Sequence, residues 1–285
     1  MTDFRPSRFE VLPMVVKNLL IVNGLMFLAM VTFAKMGIDL NDALALHYWK
    51  SDLFRPWQLV THLFMHGSID PQHIDISGGL MHLISNMFAL WMFGSILENV
   101  WGAKRFLIFY MVCGIGAALI HLGVLGYENH QLESMVRAYA ASPTIDQYAL
   151  FLKQHVSAAG APGLYQFQDA WANDPFNGGY AQQSVHYMNA YLKMFQNTAT
   201  VGASGAVFGI LFAFGYLFPN TLLYIYFAFP VKAKYFVAVY ALFELFSGVR
   251  NSAGDNVAHF AHLGGMLVAY ILLKIWNRNQ RNSFF

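Results

Sequence analysis

The sequence predicts an all-α membrane protein with six transmembrane helices. Of its 285 residues, 57% are hydrophobic and 11% are charged, whereas soluble domains average roughly 25% charged residues. Apolar runs approaching or reaching the ~20 residues that span a bilayer recur along the chain. The runs cover residues 18–34, 79–97, 106–126, 199–218, 235–249 and 257–273.

The first run has no small-residue cleavage site after it, so we expect it to remain in the protein as a signal anchor. The fifth run is short, and a further apolar stretch at residues 222–230 is shorter still. We expect that stretch to lie at a membrane interface. Six spans are therefore favoured, and seven spans are the alternative.

The distribution of Lys and Arg predicts the orientation, because cytoplasmic loops are enriched in both. We expect both termini in the cytoplasm, with residues 1–17 before the membrane domain of residues 18–276 and a tail of residues 277–285. Ten of the 17 basic residues lie in short segments that an even number of spans puts on this side: Arg5, Arg8, Lys17, Lys104, Arg105, Lys232, Lys234, Lys274, Arg278 and Arg281.

With this orientation, the second, fourth and sixth spans all enter from the outer face. His82 and Asn86 lie four residues apart on one face of the second span, and Ser204 lies about five residues into the fourth. His259 and His262 open the sixth span. At ~1.5 Å per residue, we expect all of these groups roughly 5–10 Å below the outer boundary.

Two stripes of small residues indicate which helices touch, since such stripes let transmembrane backbones approach closely. If the stripes face each other, Ser204 and His262 come within hydrogen-bond reach. One stripe comprises Gly205, Gly209 and Ala213, and the other comprises Ala261, Gly265 and Ala269.

These residue types suit acyl transfer. A serine hydroxyl becomes a nucleophile when a base such as histidine takes its proton. His82, Asn86 and the Ser204 amide are candidate donors to an oxyanion. Taken singly, Ser204 is more often a packing residue, and His82 and Asn86 are more often interhelical hydrogen-bond partners. Because intramembrane polar groups are costly, their convergence at one depth favours catalysis.

Three motifs resemble the rhomboid family. "GASGAVFG" around Ser204 resembles the family's G-x-S-G motif, and "AHLGG" around His262 resembles its histidine motif. "HLISN", "LWMFG" and "LENVWG" resemble its second span, and the likeness covers about residues 54–126 and 200–273. The resemblance implies a six-helix intramembrane serine protease that uses a Ser–His dyad with no third acid. Ser204 would be the nucleophile, His262 the general base, and Gly202 and Gly205 supporting motif positions.

The resemblance also decides between the two histidines of the last span. The family's glycine follows its catalytic histidine by three residues, and Gly265 follows His262 at that distance. The residue three positions after His259 is His262 itself, so His259 is expected to be a supporting hydrogen-bond partner. His82 and Asn86 would be the oxyanion donors, together with the amide of Ser204.

The first loop, "FRPWQLVTHLFMHG", departs from the family pattern at Gln58, where an arginine is common. Whether Arg55 replaces that arginine stays open. For His62 and His66 in the same loop, packing is favoured over catalysis. Residues 67–79 form a longer connection to the second span than compact relatives have.

A long insert, residues 127–198, separates the third and fourth spans on the predicted active-site side. Residues 146–156 and 184–196 have helical spacing, whereas residues 158–183 are predicted to be loop. We expect the insert to form an extracytoplasmic helical cap that filters substrates or, with equal weight, to be a neutral insertion. The resemblance makes the fifth span the lateral substrate gate, so Glu244 in that span is expected to latch the gate, to keep water near the site or, equally, to be a structural hydrogen-bond partner. Glu98, at the inner end of the second span, is predicted to be structural.

The resulting prediction is an endopeptidase in a bacterial inner membrane, with its active site open to the extracytoplasmic side. Its partners would be transmembrane substrates and the lipid bilayer, without metal, cofactor or nucleic acid. A non-proteolytic relative that binds transmembrane clients is the main alternative. The sequence lacks the H-E-x-x-H motif that would support a multi-histidine metalloenzyme, and a bis-histidine haem carrier would not need Ser204. It also lacks the paired broken helices that would indicate a transporter.

Overall fold

The computed structural model describes residues 9–67, 75–157, 160–225, 228–250 and 258–281. Helices dominate it. The helices are α1 (Met14–Ala34), α2 (Asn41–Leu44), α3 (Gln58–Thr61), α4 (Ser77–Ala89), α5 (Ser95–Trp101), α6 (Ala103–Ala141), α7 (Ile145–His155), α8 (Pro162–Asn173), α9 (Gly178–Gln196), α10 (Ser204–Leu217), α11 (Ala233–Arg250) and α12 (His259–Arg281).

One antiparallel hairpin departs from the all-α prediction. Strand β1 (Leu222–Ile225) pairs with β2 (Phe229–Lys232), with Leu222 opposite Lys232. The hairpin occupies the apolar stretch that the sequence predicts to be too short for a span. Its alternating exposure and short length suit a connection rather than a core element.

Four helices in the described ranges are long and apolar enough to cross a membrane. They confirm an integral membrane protein, but the predicted number of six is not confirmed. α10 has 14 residues, or about 21 Å, and α11 has 18 residues, of which Lys234, Glu244 and Arg250 are charged. The four spans are Met14–Ala34, Ser77–Trp101, Ala103–Ala141 and His259–Asn277.

α10 can be short because protein surrounds it. Ten of its fourteen residues are buried, and irregular backbone is tolerated at membrane depth where protein encloses it. The chain before α10 is held by a two-way backbone bridge between Thr200 and Leu46, with N···O distances of 2.8 and 2.9 Å. Ser204 is therefore the first residue of α10, which corrects the prediction that it lies five residues into a span.

The two stripes of small residues pack against each other, as their spacing predicts. A Cβ on Gly265 would lie 1.9 Å from the carbonyl oxygen of Gly205. A Cβ on Gly209 would lie 3.2 Å from the Gly265 carbonyl and 2.8 Å from Cys113 of α6. The backbones of α10 and α12 are thus in direct contact, and α6 packs against α10 at Cys113.

α4 and α5 continue one another through a π-helical segment, Leu90–Gly94. At the far end of this rod, Glu98 accepts hydrogen bonds from the backbone N–H groups of Val15 and Val16, both at 2.8 Å. A carboxylate there satisfies unpaired donors at the start of α1 and suits the positive end of the helix. The structural role predicted for Glu98 is confirmed.

α6 continues without a break from the third span into the insert. Its 39 residues extend about 58 Å, well beyond the ~30 Å hydrocarbon core. Its C-terminal part packs with α7, α8 and α9, and we call this unit the helical cap. The cap has its own core, comprising Leu132, Val136, Tyr139, Tyr148, Phe151, Leu152, Trp171 and Met188.

The cap corrects the prediction of loop at residues 158–183. α8 occupies residues 162–173, and α9 begins at Gly178 rather than near residue 184. Pro162 is tolerated at the first helical turn. Leu164, Phe167 and Trp171 then recur at helical spacing and pack against the cap core. The Gly, Asn and Asp residues that favour a loop lie mainly at the helix ends.

Candidate active site

Ser204 and His262 meet where α10 and α12 begin. Ser204 Oγ lies 2.8 Å from His262 Nε2, at hydrogen-bond distance. His262 is 8% exposed, so its ring is largely shielded from outside. The contact follows from the glycine-mediated approach of the two helices one turn further in. It joins a weak nucleophile to a base in the geometry that acyl transfer requires.

The ring of His262 is held by stacking. Phe208, one turn after Ser204 on α10, lies parallel to it with the ring centroids 4.1 Å apart and an interplanar angle of 5°. Tyr240 of α11 packs on Phe208 in turn, at 5.0 Å. Sequence reasoning misses Phe208, although its position four residues after Ser204 places it on the same helix face.

The other nitrogen of His262 faces a carboxylate. His262 Nδ1 lies 2.9 Å from Glu244 Oε2, and His259 Nδ1 lies 2.7 Å from the same oxygen. Glu244 is 3% exposed. His259 therefore reaches the site through Glu244, and its ring centroid is 6.4 Å from that of His262. The sequence marks Glu244 as unusual without indicating these partners.

His82 lies beside the serine across Gly202. A Cβ added to Gly202 would be 2.8 Å from His82 Cε1 and 3.5 Å from Ser204 Oγ, so the imidazole and the hydroxyl share one side of this residue. Gly202 also has φ +122°, which L side chains rarely adopt. Its N–H donates to the carbonyl of His62 at 2.9 Å.

Asn86 is buried one turn below His82. Its Nδ2 donates to the His82 carbonyl at 2.9 Å, which leaves its second N–H for another acceptor. Ser204 starts α10, so its own N–H belongs to the helical turn that lacks intrahelical acceptors and has positive polarity. His82, Asn86 and the Ser204 N–H are donor types that can stabilise an oxyanion, and of the two side chains His82 lies beside the serine at Gly202.

Gln58 organises the first loop from the position where the family resemblance suggests an arginine. Its side chain is fully buried, with Oε1 accepting from the N–H groups of His47 and Arg55 at 3.3 and 3.1 Å. Its Nε2 donates to Leu53 at 2.9 Å. In the described contacts, the Arg55 guanidinium donates to the backbone carbonyls of Asp52 and Phe54. Gln58 therefore holds the loop without a charge.

Two histidines of this loop are buried outside the spans. Burial lowers the pKa of His62 to about 4, although the hydrogen bond to the Gln58 carbonyl opposes the shift. Burial, with a contribution from nearby His82, lowers the pKa of His66 to about 3. His66 Nε2 lies 2.8 Å from Asn23 Oδ1. Both rings are therefore neutral at pH 7, and both tie the loop in place.

Glu244, His259 and His262 are also the group in the described ranges whose donor atoms lie close enough for a metal ion, within 4.8 Å of one another. Both imidazole Nδ1 atoms already share one carboxylate oxygen as hydrogen-bond acceptor. The hydrogen bonds account for the cluster without a cation.

Comparison with known proteins gives a family match. The model of the Rhomboid domain matches residues 54–145 and 176–278, which is more than half of the chain. The two ranges leave out residues 146–175, which contain nearly all of α7, the whole of α8 and the start of the turn that follows.

Two curated proteins resemble nearly the whole chain. An uncharacterized mitochondrial rhomboid protein of Schizosaccharomyces pombe is 25% identical over 96% of the chain, which spans 68% of that protein. A mitochondrial RHOMBOID-like protein of Arabidopsis thaliana is 26% identical over 95% of the chain, which spans 60% of it. Both names are mitochondrial, so they give no support to the predicted bacterial inner membrane.

Proposed function

The chain belongs to the rhomboid family, and from this premise we propose that it is an intramembrane serine endopeptidase that cleaves transmembrane proteins. The observation that supports this function is the 2.8 Å separation of Ser204 Oγ and His262 Nε2. A serine that only allows helices to pack has no need of a base on its hydroxyl. The glycine-flanked serine is therefore assigned as the nucleophile and His262 as the general base.

In the first half of the reaction, His262 Nε2 takes the Ser204 proton as Oγ bonds to the scissile carbonyl carbon. The carbonyl oxygen becomes an oxyanion, which accepts hydrogen bonds from His82, Asn86 and the Ser204 N–H. Nε2–H then protonates the amide nitrogen, the C–N bond breaks and the amine fragment leaves. The other fragment remains as an ester on Ser204.

In the second half, water gives a proton to His262 Nε2 while its oxygen attacks the ester. The tetrahedral intermediate collapses, Ser204 Oγ regains the proton from Nε2, and the acid fragment leaves. No other ionisable group gains or loses a proton in this cycle. Burial of His262, which is 8% exposed, limits competing water at the base, and this strengthens its electrostatic contacts.

Substrate access is assigned to the side of α11. Of its 18 residues, three are buried, Ala233, Val237 and Glu244, whereas ten of the 14 residues of α10 are buried, so α11 has far less packing to lose if it moves aside. The predicted orientation, with both termini cytoplasmic and the site open to the other side, belongs to the proposal. The helical cap would then lie on the side from which the site opens and restrict which substrates reach it.

The test is cleavage of a single-span reporter protein in proteoliposomes, with fluorophosphonate labelling of Ser204 followed in parallel. Ser204→Ala and His262→Ala should abolish cleavage while leaving the melting temperature near that of the wild type. Ser95→Ala is the matched control, since Ser95 is a buried serine of the same membrane domain, 4% exposed, in α5. It should cleave normally.

Cleavage that survives Ser204→Ala would refute the assignment and leave the serine a packing residue. A folded wild type that neither cleaves nor labels, yet co-purifies with the intact reporter, would favour the client-binding alternative. Because the control removes a hydroxyl elsewhere, loss of activity in all three variants would indicate general fragility rather than a dyad.

A further inference from the structure

We infer that Glu244 is a positioning residue for the Ser204–His262 dyad, holding His262 in the orientation and tautomer that let it act as the base. The inference rests on the proposed function, because a positioning residue matters only if His262 acts as a base. It gives α11 an indirect part in the chemistry, through a carboxylate that contacts His262 and not the serine.

Contacts at hydrogen-bond distance on both sides of the His262 ring connect Ser204 to Glu244. Ser204 Oγ is 2.8 Å from Nε2, and Glu244 Oε2 is 2.9 Å from Nδ1. A carboxylate accepts hydrogen bonds, so Nδ1 must carry the proton and donate it. In the neutral ring, the lone pair then lies on Nε2, facing the hydroxyl. Glu244 thereby selects the tautomer that can act as a base.

The surroundings of Glu244 favour its contact with His262. It is the one ionisable residue among the three buried positions of α11, and an unpaired buried carboxylate would be strongly destabilising. Its described hydrogen-bond partners both lie on α12, at the residue that touches the serine and one turn before it. The Glu244 carboxylate therefore links α11 to α12.

His259 holds the carboxylate from the other side. Its Nδ1 is 2.7 Å from the same Oε2 atom that His262 contacts, so the oxygen is fixed between two donors. This fixes its direction, because an oxygen with two ring donors cannot swing away without losing both. The pair of histidines spaced by three residues on α12 has a physical reason: one serves the serine and the other serves Glu244.

The chemical effect is on the imidazolium. When His262 takes the serine proton, both ring nitrogens carry a proton, and the positive charge lies next to the Glu244 carboxylate. In the serine-protease template, the equivalent acid orients the histidine and stabilises its cation without being protonated. Glu244 would lower the energy of the charged state in the same way, inside a site where charge separation is costly.

The decisive experiment compares Glu244→Gln, Glu244→Asp and Glu98→Gln in the reporter assay. Glu244→Gln should lower kcat by at least about 10-fold and by up to about 10⁴-fold, the loss seen for the equivalent change in the template. KM should stay unchanged, since Glu244 does not contact substrate. Glu244→Asp keeps the charge and should recover part of the lost kcat.

Glu98→Gln is the matched control, because Glu98 is an equally buried glutamate, 4% exposed, that caps α1. It should lower the melting temperature and leave kcat unchanged. A folded Glu244→Gln enzyme with wild-type kcat would overturn the inference. So would a loss of activity no larger than the loss of folded protein, measured by circular dichroism, in both Glu244 variants.

A measurement on the wild type covers the case in which the variants do not fold. With ¹⁵N-labelled histidine, His262 should carry its proton on Nδ1, the signal being assigned by its absence in His262→Ala. A proton on Nε2 would overturn the inference. Since this readout needs no cleavage, a wild type with Nδ1–H but no cleavage or labelling would reject the protease while leaving the hydrogen-bond chain intact.

Discussion

The membrane core around α10 and the helical cap are packed with opposite kinds of side chain. In the core, glycines of α10 and α12 bring two backbones into contact, to the point where a Cβ on Gly265 would lie 1.9 Å from a carbonyl oxygen. In the cap, large rings fill the space: Tyr148 contacts Trp171 at 6.2 Å and Phe167 at 5.6 Å between centroids.

The difference follows from what surrounds each region: lipid around the membrane core and water around the cap. Lipid is as apolar as a side chain, so helices in it associate through close packing and hydrogen bonds. The cap rests on the part of α6 beyond the hydrocarbon layer, where burying large rings away from water stabilises the fold. The core should therefore be sensitive to added atoms, and the cap should be sensitive to removed ones.

The largest expected effect comes from adding one methyl group to the core. Gly265→Ala puts a Cβ against the Gly205 carbonyl and must push α10 and α12 apart, beyond the ~1–3 kcal/mol usual for overpacking. Ser204 labelling and reporter cleavage should both be lost. Gly24→Ala in α1 is the control, because nothing lies within 4 Å of its added Cβ. Normal labelling in Gly265→Ala would contradict the described packing.

A smaller effect on the enzyme is expected from emptying the cap core. Trp171→Ala removes a side chain that is 4% exposed, which should destabilise the cap by about 3–5 kcal/mol. Hydrogen exchange should rise across residues 145–196, while Ser204 labelling by a small fluorophosphonate persists. Phe176→Ala, at a 98% exposed side chain, should change neither. Loss of labelling in Trp171→Ala would show that cap and core fold as one unit.

The smallest effect concerns the junction between the first loop and the cap. Asp52 and Lys193 form an exposed ion pair at 3.1 Å, and Asp52→Asn should cost less than about 1 kcal/mol. Ser51→Ala removes the nearby hydrogen bond to Asn197 at 2.7 Å, where burial makes a loss of about 1 kcal/mol the expectation. Thermal unfolding in detergent compares them; a larger effect of Asp52→Asn would reverse the ranking.

The sequence alone supplies the membrane class, the family and the pairing of the small-residue stripes. Each depends on composition or on a repeat along one helix, which local spacing reveals. The placement of Ser204 and His262 beside each other follows from those stripes.

Other features depended on contacts between distant segments. The start of α10 at Ser204 is set by the bridge between Thr200 and Leu46, which no pattern within residues 199–218 predicts. The helix at 162–173 forms because the cap core receives its aromatic face, overriding the loop-forming residues at its ends.

By itself, then, the sequence determined which segments are apolar and which motifs they contain, because a membrane restricts spans to a few readable patterns. The tertiary structure decided which residues Glu244 contacts. A single carboxyl in a span has no periodicity to interpret, and its meaning comes from the two histidines of α12 that share its oxygen. Hydrogen bonds between helices depend on packing and rotation, which spacing along one helix does not define.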